Sequence, residues 1–131
     1  MRRLDHVAVQ VADLDRAIDF YTGTLGLKFM FRELDEEHHE AFAFLGLDGG
    51  NLELLQMLNA RNQPVVHVTS KPEPPYCPHV ALGVDDLDAM LATLAAANIP
   101  LLKGPLIIPG KVRWCYVADP DNNVVEFVQW L

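Results

Sequence analysis

Apolar and polar residues alternate with period two from Leu4 to Val11, the pattern of a strand with one covered face. The period then changes. From Leu14 through Ala17, Ile18, Tyr21 and Leu25 the apolar positions fall three or four apart, which predicts a helix running to about Leu25. Asp13 stands where an N-cap accepts from the free N–H groups of a new helix, and Gly26 can adopt the left-handed stop. Three strands are predicted next, at about 27–33, 41–47 and 52–58, with Asp48-Gly49-Gly50 as the turn between the last two. The order then repeats: a strand at 79–84, and a helix at about 86–97 with Leu87, Met90, Leu91 and Leu94 as its stripe and Asn98 near its stop. Strands follow at about 101–103, 111–118 and 123–130, the last pair joined by Asp119-Pro120-Asp121-Asn122.

Each half therefore reads βαβββ. The stretch 59–78 holds Pro64, Pro72, Pro74, Pro75 and Pro78 and reads as a linker, with room for a short strand at 65–69. The expected fold class is α+β: two tandem βαβββ modules, about 1–58 and 79–131, in a single domain, with a cupped mixed sheet and the helices on its outer face.

The two halves also share residues. His6-Val7-Ala8-Val9-Gln10-Val11-Ala12-Asp13-Leu14-Asp15 returns as His79-Val80-Ala81-Leu82-Gly83-Val84-Asp85-Asp86-Leu87-Asp88, 73 positions later, with seven of ten identical. The same offset carries Glu53 onto Glu126 and Gln56 onto Gln129, so each half holds a His and, 47 residues on, a Glu.

Strand parity decides what those residues can do. His6 shares a face with Ala8 and Gln10, while Val7, Val9 and Val11 point the other way, toward the helix. The same parity puts Glu53 with Leu55 and Met57, His79 with Ala81, and Glu126 with Val128 and Trp130, all on the helix-free face. A lone strand His is most simply a satisfied polar residue. A carboxylate among Leu52, Leu54 and Leu55 is harder to explain by packing, because a buried charge must be paired or bound to a cation. Two such carboxylates with matching histidines point to one divalent ion, and imidazole with carboxylate suits Zn, Ni, Co, Mn or Fe(II).

Charge and length narrow the partners. A net charge of −8 gives no drive onto phosphate backbones or anionic lipid, so nucleic acid and membrane are not expected and a small-molecule substrate is. No apolar run approaches the ~18 residues of a membrane span, and none follows Met1-Arg2-Arg3 as a signal peptide would require, so the cytoplasm is the expected compartment. Cys77 and Cys115 form neither a disulfide framework nor a CxxC motif and are expected to be buried or half-buried free thiols. His38 and His39 fall in an acidic hairpin connection and His67 in the linker, where solvation or a structural role is the simpler reading. Arg113, Trp114 and Tyr116 offer pocket lining where they share the face of Glu126, and Met57 and Trp130 flank the ligand strands. Lys103, Lys111 and Arg113 offer an anion contact, with solvation as the default.

Several of these segments together resemble a known family. His-Val-Ala in both first strands, Phe20-Tyr21 with Leu25-Gly26-Leu27, Leu52-Glu53-Leu54-Leu55, and Asp119-Pro120-Asp121-Asn122 before Val125-Glu126-Phe127 are similar to the vicinal oxygen chelate superfamily. That group includes glyoxalase I, methylmalonyl-CoA epimerase, extradiol dioxygenases, and fosfomycin and bleomycin resistance proteins. The resemblance implies paired βαβββ modules, a homodimer, and metal ligands at His6, Glu53, His79 and Glu126. A set of two His and two Glu resembles the lyase and isomerase branch, which removes a proton next to a carbonyl while the metal holds the oxygens of the developing enediolate. Glu126, and after it Glu53, is the residue to which this implies the role of base. Extradiol dioxygenases, which use Fe(II), and fosfomycin thiol transferases carry two His and one Glu, matching His6, His79 and Glu126, whereas bleomycin-type proteins lack the ligand set and bind small molecules without chemistry. Two departures stand out: Asn122 replaces the family's usual turn Gly, and Gln10 stands where bacterial glyoxalase I tends to carry an Arg that bears on glutathione-adduct specificity.

Overall fold

The computed structural model describes residues 1–131, which divide into two compact units, Met1–Thr69 and Ser70–Leu131. The first holds β1 (His6–Gln10), α1 (Leu14–Ile18), a π-helical turn (Asp19–Thr24), β2 (Lys28–Asp35), β3 (Glu40–Leu47) and β4 (Gly50–Met57). The second holds β5 (His79–Gly83), α2 (Leu87–Ala96), β6 (Lys103–Ile108), β7 (Val112–Ala118) and β8 (Val124–Trp130). Each unit is one four-stranded mixed sheet, in the orders β1-β4-β3-β2 and β5-β8-β7-β6, with the first strand parallel to the last and the other pairs antiparallel. The expected βαβββ order holds in both. No helix is long and apolar enough to cross a membrane.

The core of each unit lies between helix and sheet. Leu14, Ala17 and Tyr21 are buried against Ala43, Leu45, Leu52 and Leu54 of the first sheet; Leu87 and Leu94 are buried in the second, where Cys115, Val117, Val125 and Phe127 form the strand side. Full burial of such a Leu is worth roughly 1.5–3 kcal/mol. Helix entry is duplicated in detail. Asp13 accepts from the N–H of Arg16 and its counterpart Asp86 from that of Ala89. Gln56 accepts the N–H of Leu14 at 3.2 Å and donates to the carbonyl of Ala12 at 2.9 Å, while Gln129 accepts the N–H of Leu87 at 2.9 Å. The repeated glutamines therefore moor each helix N-terminus to the last strand of its sheet.

Four expectations need correction. The first helix is α-helical only to Ile18; beyond it the N–H of Leu25 reaches back five residues to Phe20, and the Thr22 hydroxyl donates to the carbonyl of Ile18 at 2.7 Å before Gly26 ends the turn at φ 78°. Residues 65–69 form no strand; the linker's pairing is an isolated bridge between Leu58 and Pro64. β6 occupies Lys103–Ile108 rather than 101–103; it is an edge strand whose register with β7 shifts between Lys103 and Leu106, and both features accommodate Pro105. Finally, of Val7, Val9 and Val11 only Val11 is buried, since β1 is also an edge and α1 packs on β4 and β3. The turn expectations stand: Gly49, Asn98 and Asn122 all have positive φ.

Candidate functional site

Register explains why each His meets its Glu. In the first unit Glu53 lies directly opposite Ala8, and His6 opposite Asn51, so His6 and Glu53 are diagonal neighbours on one face of the parallel pair. In the second unit Glu126 lies opposite Ala81 and His79 opposite Val124, the same diagonal. Alanine at positions 8 and 81 leaves room for each carboxylate to lean toward its histidine. The result is Nε2 of His6 at 3.5 Å from Oε1 of Glu53, and Nε2 of His79 at 3.7 Å from Oε2 of Glu126.

Those separations are too long for a charge-assisted hydrogen bond. They match another geometry: two donors each bound to a tetrahedral ion at about 2.1 Å stand about 3.4 Å apart. The other ring nitrogens support that fit. Nδ1 of His6 faces the Asp5 carboxylate at 2.7 Å and Nδ1 of His79 the carbonyl of Tyr76 at 2.9 Å. An ionised carboxylate and a carbonyl can only accept, so Nδ1 is the donor in both rings, and a neutral imidazole then presents its Nε2 lone pair toward the glutamate. The side chains of Glu53 and Glu126 are only 16% and 15% exposed, whereas those of His6 and His79 are 39% and 24% exposed. Within each unit the structure brings one His together with one Glu; no group of three or more His, Cys, Asp or Glu is gathered in metal-ligating geometry.

The surroundings of each pair are aromatic. Beside His6, Phe44 lies at 5.1 Å and stacks in turn on Phe31 at 5.1 Å, with Phe42 edge-on to both. In the second unit Glu126 opens into a cleft of about 310 Å³ with Trp114, Tyr116, Val128 and Trp130 along its walls. Tyr116 lies opposite Glu126 in the register, and burial together with the neighbouring Glu126 charge pushes its phenol pKa up, which keeps it protonated. Tyr116 also packs against Tyr76 and His79.

The remaining candidates are placed elsewhere. Arg113 points to the helix side and binds Asp88 at 2.9 Å, an arrangement that raises the arginine's pKa and lowers the aspartate's. His38 is held by Asp35 and His39 by Asn62, both in the connection between β2 and β3 or beside it. Cys115 is buried, with desolvation raising its pKa, but Cys77 is exposed, its Sγ 3.8 Å from Nδ1 of His79. Sequence reasoning missed Asp5 and Tyr76 as orienting partners. The adjacency of Asp5 to His6 was a usable signal; a backbone carbonyl carries none.

Comparison with known proteins agrees with this architecture. Residues 3–127 match the family model of the Glyoxalase/Bleomycin resistance protein/Dioxygenase superfamily. The chain is 30% identical to the lactoylglutathione lyase of Haemophilus influenzae, over 95% of this chain and 90% of that protein. It is 31% identical to human mitochondrial methylmalonyl-CoA epimerase, over 97% of this chain and 73% of that one. Among solved structures, the trypanothione-dependent glyoxalase I of Leishmania major superposes with a TM-score of 0.75 at 27% identity, covering 98% of this chain and 87% of the other. An antibiotic-binding protein of Streptomyces, TnmS3, shares the fold with a TM-score of 0.74 at 23% identity, covering 100% and 98%.

Proposed function

The chain belongs to the Glyoxalase/Bleomycin resistance protein/Dioxygenase superfamily, and from that premise we propose that it is a metal-dependent lyase or isomerase acting on a small molecule with an oxygen next to its carbonyl. The observation that carries this reading is the matched pair of His Nε2 and Glu oxygen, at 3.5 and 3.7 Å, with Nδ1 tied back in both halves. His6 with Glu53, and His79 with Glu126, would each supply ligands to a divalent ion, Zn, Ni, Co, Mn or Fe(II). The chemistry that such an ion supplies when bound is Lewis-acid polarisation of a substrate carbonyl.

Glu126 supplies the base. Its carboxylate borders the cleft, so it can take the proton from the carbon next to the carbonyl and return it to the same or the adjacent carbon. No electrons leave the substrate, and no redox partner is needed. Tyr116 lies opposite Glu126 in the register, where its hydroxyl can donate toward developing negative charge. Asp5 and the Tyr76 carbonyl hold the two imidazoles in the tautomer that leaves Nε2 free.

Lactoylglutathione lyases and the methylmalonyl-CoA epimerase among the relatives support a lyase or isomerase. Glu53 also favours it over an Fe(II) dioxygenase needing only His6, His79 and Glu126, because Glu53 stands toward His6 as Glu126 stands toward His79.

Calorimetric titration of chelator-treated protein with Zn, Ni, Co, Mn and Fe(II) tests the metal. The expected result is stoichiometric binding of a divalent ion, lost in His79→Ala. A panel of hemithioacetal, acyl-CoA and catechol substrates then tests the chemistry. Oxygen uptake with a catechol that survives Glu53→Ala would give the dioxygenase reading instead. Tight small-molecule binding indifferent to chelator, without turnover, would make the protein a binding module.

A further inference from the structure

The cleft beside Glu126 has a composition that the proposed chemistry leaves unused. Its lining is aromatic and aliphatic, with Trp114, Tyr116, Val128 and Trp130 as walls and Ile108 at the edge, and Glu126 is the one charged group in it. Basic side chains that sequence proximity would offer are engaged or outside. Arg113 is bound to Asp88 on the other face of the sheet, the Lys111 ammonium sits over the Trp130 ring at 5.8 Å, and Lys103, opposite Tyr116 in the register, does not line the cleft. An aromatic or apolar group meets three aromatic faces and a volume of about 310 Å³, room for one substituted ring.

We infer that the substrate carries a neutral aromatic or apolar substituent on its carbonyl-bearing carbon, seated against Trp114, Tyr116 and Trp130. This rests on the reading of Glu126 as the base at the cleft's border. The specificity residues are Trp114 and Trp130, which are also the chain's two tryptophans, so intrinsic fluorescence reports this cleft.

The test is a fluorescence titration of the full chain, run with chelator and again with saturating Zn. The probes are 2-hydroxyacetophenone and hydroxyacetone. The phenyl ketone is expected to shift the emission saturably in both conditions, with an affinity roughly tenfold or more above that of the methyl ketone, the equivalent of about 1.4 kcal/mol of ring burial. Trp130→Ala, at an exposed strand end, should remove the phenyl preference with Trp114 still reporting; Trp114→Phe provides the reciprocal measurement. Equal affinity for the two ketones overturns the inference. So does an emission shift that follows protein concentration alone, which would make the cleft a contact between copies. Failure to bind metal with the phenyl preference intact would overturn the proposed lyase or isomerase and leave the cleft assignment standing.

Discussion

Asp5 accepts a hydrogen bond from Nδ1 of His6 at 2.7 Å, but the residue 73 positions on is Pro78, and His79 turns its Nδ1 to the Tyr76 carbonyl at 2.9 Å. The ligand pairs are duplicated while their supports are not. One support is a charged side chain with 73% exposure, the other a backbone group that no substitution removes directly.

This asymmetry makes Asp5→Ala informative. Loss of an orienting partner behind a metal-binding histidine typically weakens metal affinity by about 10–100-fold. Competition against a chromogenic chelator should show a drop of that size for Asp5→Ala, with the fold intact by circular dichroism. An unchanged affinity would mean that His6 is oriented without Asp5.

Gln56 is buried and serves both the N–H of Leu14 and the carbonyl of Ala12, so Gln56→Ala strands two backbone groups at the helix entry. Each unsatisfied buried group costs about 1–3 kcal/mol. Urea unfolding should show Gln56→Ala less stable by at least that amount, with Gln129→Ala also destabilised.

Gly104 has φ +108°, and a Cβ there would lie 3.0 Å from the Trp114 carbonyl oxygen and from the Cys115 side chain. Gly104→Ala must therefore push β6 away from β7. A loss of about 1–3 kcal/mol is expected, read from the urea midpoint. Because β7 carries Trp114, the emission of the cleft should change as well.

Asp88 has its pKa held below the usual 3.8 by the hydrogen bond and charge of Arg113. A carboxyl whose folded pKa is depressed contributes stability above its unfolded pKa and loses it as pH falls through the folded one. Asp88→Asn should therefore melt below the parent at neutral pH, by a small margin for so exposed a pair, and the two should converge once the pH drops well below 3.8. A gap that persists at that acidity would assign the effect to something other than the charge.

The period of the apolar pattern and the 73-residue repeat together settled the βαβββ order of each half and which strand face each His and Glu occupies, because side-chain direction in a strand depends only on parity. Composition at the turns did likewise for Gly26, Asn98 and Asn122, whose left-handed backbone is a local property. Strand order and register were decided by the tertiary structure alone. They placed β6 at an edge where Pro105 is tolerated, set Glu53 opposite Ala8 and Glu126 opposite Ala81, and turned the repeated glutamines into moorings for the helices. They also gave Arg113 its partner Asp88 and His79 a backbone carbonyl as its orienting partner. The physical reason is range: parity and turn preference act within a few residues, whereas hydrogen-bond partners and cleft walls come from segments tens of residues apart, whose meeting depends on how the strands pair.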